Sequence, residues 1–198
     1  MTEAGVLDGR IRFGRAAIRA LVVLALSASA LGVERPERWA VPLAVSGASN
    51  LHKVSYVLYR SAQPSAEGMK KVEALGVKTV LNLRGFHSDK GEAKGTSLEL
   101  AHVRFDTWDV DEDELVEALR IVRDPARQPV LVHCKHGADR TGMIIALHRI
   151  LFEGWTKAEA IDEMKNGGFG WHSVWTHIPR YIERVDVEAL RKKLKIEN

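Results

Sequence analysis

The chain is nearly devoid of cysteine: Cys134 is the only one among 198 residues. A single thiol excludes a disulfide scaffold. It also excludes multi-thiolate zinc sites and iron–sulfur clusters, which need several sulfur ligands. No repeat with a period of about 20–50 residues is present, which argues against a solenoid. The apolar run Ala20–Val33 falls short of the roughly 20 residues that span a bilayer comfortably. Nor is there a strong excess of one charge. The net charge is +3, and the first 30 residues hold Arg10, Arg12, Arg15 and Arg19 against Glu3 and Asp8, so the remainder carries +1. The body therefore lacks the basic excess that a nucleic-acid partner calls for.

What is present suffices for a core. Apolar residues make up 45% and charged residues 28%, which excludes a disordered chain. A length of 198 residues suits one domain. Residues 1–30 have a basic start, an uncharged apolar run and the small residues Ala28-Ser29-Ala30. That is the pattern of a signal peptide, or of an N-terminal membrane anchor when it is not cleaved. An amphipathic or buried helix is the plainer alternative. Residues 31–50 contain Pro36, Pro42, Gly47 and Asn50 and read as a linker or wrapped arm. Residues 51–198 form the expected folded domain.

That domain alternates strand and helix signals. Val54–Tyr59 reads as a strand or short hairpin, and Ser65 as the N-cap of a helix that Gly76 closes. Val77–Leu83 and Ala101–Phe105 read as strands. A helix starts in the acidic run Asp109–Glu114 and stops before Pro125. Val130–His133 is a short apolar strand, and Arg140–Phe152 is apolar nearly all round, as a buried central helix would be. Thr156 and Glu159 form a capping box, and Ile178, Tyr181, Ile182 and Val185 mark a last helix. The alternation predicts an α/β fold, with a central, largely parallel sheet flanked by helices.

Between that strand and the buried helix lies His133-Cys134-Lys135-His136-Gly137-Ala138-Asp139-Arg140-Thr141-Gly142. The carboxyl end of a parallel strand is where open α/β sheets bind ligands. Five residues between Cys134 and Arg140 can wrap a loop whose N–H groups point inward and hold an oxyanion at a helix N-terminus. Gly137 gives freedom at the crowded turn, and Arg140 can close a bidentate fork over the anion. The same positive field favours a thiolate at Cys134, aimed at a bound phosphoryl group. His133 suits a loop orienter, and the Thr141 hydroxyl can reach the sulfur.

The segment His-Cys-x-x-Gly-x-x-Arg-Thr-Gly resembles the signature of cysteine-dependent protein tyrosine and dual-specificity phosphatases. Leu58–Pro64, Leu81–Arg84 and the stretch from Gly154-Trp155 to Gly167-Gly168-Phe169-Gly170 are similar to an exported bacterial branch of that family. The resemblance covers roughly residues 50–185 and implies a dual-specificity-phosphatase-like fold. It implies hydrolysis of phosphotyrosine, and of phosphoserine or phosphothreonine, through a phosphocysteine with no metal or cofactor. Cys134 would be the nucleophile, and Arg140 with residues Lys135, His136, Gly137, Ala138 and Asp139 would bind the phosphoryl group. His133 and Thr141 would support the loop. An aspartic acid some two dozen residues upstream would protonate the leaving oxygen. Asp109 is favoured over Asp106 and Asp111, the last being equally suited to cap the helix. Residence in the periplasm, or attachment to the inner membrane by the N-terminus, follows from the branch and the N-terminal pattern.

Lys135 and Asp139 also resemble residues of lipid phosphatases, so phosphoinositides or inositol phosphates are the alternative substrates. A rhodanese or arsenate-reductase-like enzyme and an inactive phosphate-binding module are readings of a different class. Arg84, Arg60 and Gln63 can reach a second phosphate or serve structural pairs, and Trp171, His172, Trp175 and His177 suit packing better than an active-site rim.

Overall fold

The computed structural model describes residues 35–106, 108 and 110–196. The expected signal or anchor segment, residues 1–30, and Asp109 lie outside the described residues. The chain runs through β1 (Val41–Pro42), β2 (His52–Lys53), β3 (Leu58–Ser61), α1 (Ala66–Ala74), β4 (Thr79–Asn82) and β5 (Glu99–His102). It continues through α2 (Glu112–Arg123), β6 (Val130–His133), α3 (Asp139–Phe152), α4 (Lys157–Asn166), α5 (His177–Arg184) and α6 (Val187–Lys193). The sheet order is β1-β2-β3-β6-β4-β5. β3, β6, β4 and β5 are parallel, and β1 and β2 add an antiparallel edge. The expected central, largely parallel sheet is thus present, and the antiparallel edge makes it mixed.

β3, β4 and β6 are buried at every residue, as parallel strands covered on both faces must be. Alternate side chains serve opposite layers. Val130 and Val132 join the larger core beneath α2, α3, α4, α5 and α6, whereas Leu131 packs with Met69 and Val72 of α1. α3 is apolar nearly all round, and it lies buried as its sequence requires.

Local signals hold where they are strong. Ser65 accepts from Gly68 N at the start of α1, and Gly76 adopts φ +91° just past its end. Thr156 and Glu159 complete the capping box of α4. The first apolar segment, read as a strand or short hairpin, is the hairpin β2–β3, with residues 54–57 in its turn. Two details differ. The strand expected at Ala101–Phe105 lies two residues earlier, as β5, paired with β4 from Thr79↔Glu99 onward. A further helix, α6, follows α5, capped by Asp186, whose side chain accepts from Ala189 N.

Residues before β1 pack against the domain. Ala40 is fully buried, and its N–H donates to Glu163 Oε1 at 2.7 Å. Arg35 donates to the Gly167 carbonyl at 2.6 Å.

Candidate active site

β6 runs between β3 and β4 and delivers His133 and Cys134 at its carboxyl end. α3 begins five residues after Cys134, with Ala138 at its N-cap position and no side-chain cap. Its first N–H groups are thus left for a ligand. Cys134 lies at the bottom, 2% exposed, and the Gly137 N–H donates to its Sγ at 3.3 Å.

The loop's carbonyls are met from outside. The Gln63 N–H donates to the Lys135 carbonyl at 3.3 Å, and Asn50 Nδ2 to the His136 carbonyl at 2.9 Å. Arg60 Nη2 donates to the Gly137 carbonyl at 2.7 Å and the Ala138 carbonyl at 3.4 Å. In a planar trans peptide the N–H points opposite to the C=O. Outward carbonyls therefore turn the N–H groups of residues 136–139 inward, around the cysteine sulfur. Gly137 sits at φ +71°, and a Cβ there would lie 2.4 Å from the Ser61 carbonyl carbon and oxygen.

His133 is fully buried, with Nε2 at 2.7 Å from Asp89 Oδ2 and Nδ1 at 3.4 Å from the Cys134 carbonyl. Gln63 Nε2 donates to the other Asp89 oxygen at 2.8 Å, and Arg84 Nη1 donates to Gln63 Oε1 at 3.0 Å. A polar chain thus runs from Arg84 to the residue before the cysteine. Burial alone would raise the Asp89 carboxyl, but His133 and Gln63 outweigh it and hold it below the usual range. Arg84 serves this chain through a side-chain amide; no carboxylate pairs with it among the described residues.

Arg140, half-buried, donates Nη1 to the carbonyls of Leu83 at 3.2 Å and Phe105 at 3.4 Å, which hold it at the ends of the segments that follow β4 and β5. Lys135 and His136 are exposed beside it. Burial, together with the charges of His172, Lys135 and Arg140, pushes His136 below the ordinary histidine value. Asp139 turns away to His172: its oxygens accept from His172 N at 3.1 Å and meet Nδ1 at 2.7 Å. This anchors α3 to the 171–175 segment, where Trp171 and Trp175 pack on the core. Thr141 is fully buried, and its hydroxyl has no hydrogen-bond partner, so the expected bond to the sulfur is not formed here.

Of the three candidate acids, Asp111 caps α2, accepting from Asp113 N at 2.8 Å and Glu114 N at 3.2 Å. Asp106 directly follows Phe105, whose carbonyl Arg140 touches, and its Oδ1 lies 3.5 Å from the position of a Cβ on Gly85. His87, Asp89 and Glu92 bring one donor atom each within 4.8 Å of the others. His87 Nε2 lies 3.2 Å from Glu92 and 3.8 Å from Asp89. Asn50 and Asp89 escaped the sequence reading because neither sits in a motif. Their roles arise from contacts across 86 and 44 residues.

Comparison with known proteins places this geometry. Residues 47–198 match the tyrosine phosphatase family. The dual specificity protein phosphatase TpbA of Pseudomonas aeruginosa (strain UCBPP-PA14) is 37% identical over 169 residues, covering 84% of this chain and 75% of TpbA. The crystal structure of P. aeruginosa TpbA superposes with a TM-score of 0.74 at 34% identity, over 81% of this chain and 99% of that one. The core catalytic domain of the PP-IP phosphatase SIW14 of S. cerevisiae gives 0.64 at 27% identity, over 77% and 96%. An inositol diphosphatase of Oryza sativa subsp. japonica is 30% identical over 152 residues, 72% of this chain and 66% of its own length. With a cysteine set in an inward-facing amide loop and the arginine fork beside it, this chain belongs to the tyrosine phosphatase family.

Proposed function

We propose that this chain hydrolyses phosphomonoesters through a phosphocysteine, with phosphotyrosyl proteins as substrates. The observation that carries the reading is the ring of inward N–H groups around Cys134, one of which already contacts the sulfur. The Cys134 thiolate attacks phosphorus, an S–P bond forms and the P–O bond to the substrate breaks. A carboxylic acid of the 106–111 segment gives its proton to the leaving oxygen; Asp109 is first choice and Asp106 second. Water then attacks phosphorus and gives a proton to that carboxylate, the S–P bond breaks, and phosphate leaves with the thiolate and the acid both restored. Arg140 and the loop N–H groups stabilise the equatorial oxygens throughout. The relative solved with phosphotyrosine bound, a cysteine-to-serine form of TpbA, supports the substrate class. Inositol phosphates are the second reading, supported by the exposed Lys135 next to the cysteine and by the rice and yeast relatives.

The test is phosphate release by the full chain with chelator present, from phosphotyrosine peptide, phosphoserine peptide, inositol lipid and inositol phosphate, beside Cys134→Ser. Chelator-resistant release, fastest on phosphotyrosine and lost in the variant, is expected. No turnover of any substrate overturns the reading: thiosulfate turnover would then point to a rhodanese-like enzyme, and phosphopeptide binding alone to a binding module. Asp109→Asn should lower kcat by about 10²–10³, and the acid is reassigned if Asp106→Asn does so instead. The same proposal includes export to the periplasm through residues 1–30, cleaved or retained as an anchor. Cell fractionation and N-terminal sequencing check it, and recovery of the intact chain in the cytosol overturns it.

A further inference from the structure

We infer that Arg60 is a positioning residue for the loop's anion: from behind, it fixes the two peptide groups that face the phosphoryl oxygens and backs them with a buried charge. The inference rests on the proposed phosphatase reading for the identity of the anion.

Arg60 lies on β3, in register with Val132 of β6, and so sits beneath the loop that β6 feeds. It is 1% exposed, and its guanidinium carbon lies 3.6 Å from the centre of the Phe169 ring. A single nitrogen, Nη2, donates to both the Gly137 and Ala138 carbonyls. The peptide planes holding those carbonyls also hold the N–H groups of Ala138 and Asp139, which must point the other way, into the loop. These are the last N–H of the loop and the first of α3. Fixing a donor in place before the anion arrives is the main source of electrostatic stabilisation in such sites.

The charge itself needs explaining. Among the described residues no carboxylate lies within 4.0 Å of Arg60. Glu163, the acid acting on it most, is already held through both oxygens by Arg149, at 2.9 and 3.0 Å. Burial lowers the guanidinium to about 10, which leaves it charged at neutral pH. A buried cation without a partner is unfavourable unless an anion compensates it. The groups that receive its two hydrogen bonds form the wall of an anion loop, and beyond Glu163 the negative charge that acts on it is that of Cys134, or of a phosphoryl group, on the far side. Arg149, by contrast, is paired directly with Glu153 and Glu163.

The experiment compares Arg60→Gln and Arg60→Lys with the wild-type full chain. Tungstate binding is measured by calorimetry, kcat and KM with phosphotyrosine peptide, and folding by thermal melting. Arg60→Gln is expected to weaken tungstate binding about tenfold or more and to lower kcat by about 10–100-fold, with Arg60→Lys recovering part of both. A folded Arg60→Gln that binds tungstate as tightly as wild type overturns the inference. Should Arg60→Gln fail to fold, Arg60→Lys decides: it keeps the charge and loses the fork, so a several-fold weaker affinity supports the role and an unchanged one overturns it. Wild-type chain that binds tungstate through Arg60 yet turns over no phosphomonoester would sink the proposed function and leave this inference standing.

Discussion

At the residue scale the loop is specified as much by what packs behind it as by what lines it. Gly137 shows why. Its φ of +71° suits glycine, and a methyl group would meet the Ser61 and Ala62 backbone at 2.4–2.5 Å. Backbone cannot swing aside as a flexible side chain would. Gly137→Ala should therefore cost about 2 kcal/mol or more of stability and abolish tungstate binding, as read by urea unfolding and calorimetry. Asp89 gives a pH-dependent counterpart. Its depressed carboxyl contributes stability in full above the unfolded value, near about pH 4, and loses it as pH falls through the lower folded value. Asp89→Asn should thus cost about 1–3 kcal/mol near neutral pH, and the gap from wild type should close in acid. A gap that persists in acid would mean that packing, and not the carboxylate's charge, is what the variant removes. Cys134, Gly137 and Arg140 were legible in the sequence because they share one short motif. Asp89, Asn50 and the inward role of Arg60 were not, because each depends on a contact between segments far apart in the chain.

At the scale of elements, legibility follows the chemistry of the ends. Ser65 and the Thr156–Glu159 box start α1 and α4 where their side chains lead one to expect. β5 is harder. Its burial pattern is exposed at three of four positions, so hydrophobicity cannot mark its register, and pairing with β4 decides it. α6 has only seven residues, of which Leu190 alone is buried, and leaves little periodic signal. α2 offers the test at this scale. Asp111 bonds two N–H groups of its first turn, so Asp111→Ala should cost about 1 kcal/mol while leaving kcat within about tenfold of wild type. A loss of kcat as large as that of Asp109→Asn would instead make Asp111 the proton donor.

For the whole molecule, β/α alternation and one loop motif implied the α/β class and the position of the site, because the order of parallel strands puts the loop at the carboxyl end of a central one. The same chain has no second cysteine to form a disulfide with Cys134. Peroxide should therefore inactivate it without any internal disulfide forming, and early addition of an external thiol should restore activity. Full activity after peroxide, with no reductant present, would count against a thiolate nucleophile. The stretch from Arg35 to Ala40 carries a different consequence. The family match opens at residue 47, yet upstream of it Ala40 is sealed in the core, Arg38 lies 4.1 Å from the Trp155 ring, and Arg35 reaches the Phe169 ring against which Arg60 stacks. A fragment cut at the family boundary would lose a belt whose buckle closes on the back of the catalytic loop. It should melt earlier and bind tungstate more weakly than one cut at residue 35, so the working edge of this domain is set by contacts and not by the reach of the family likeness.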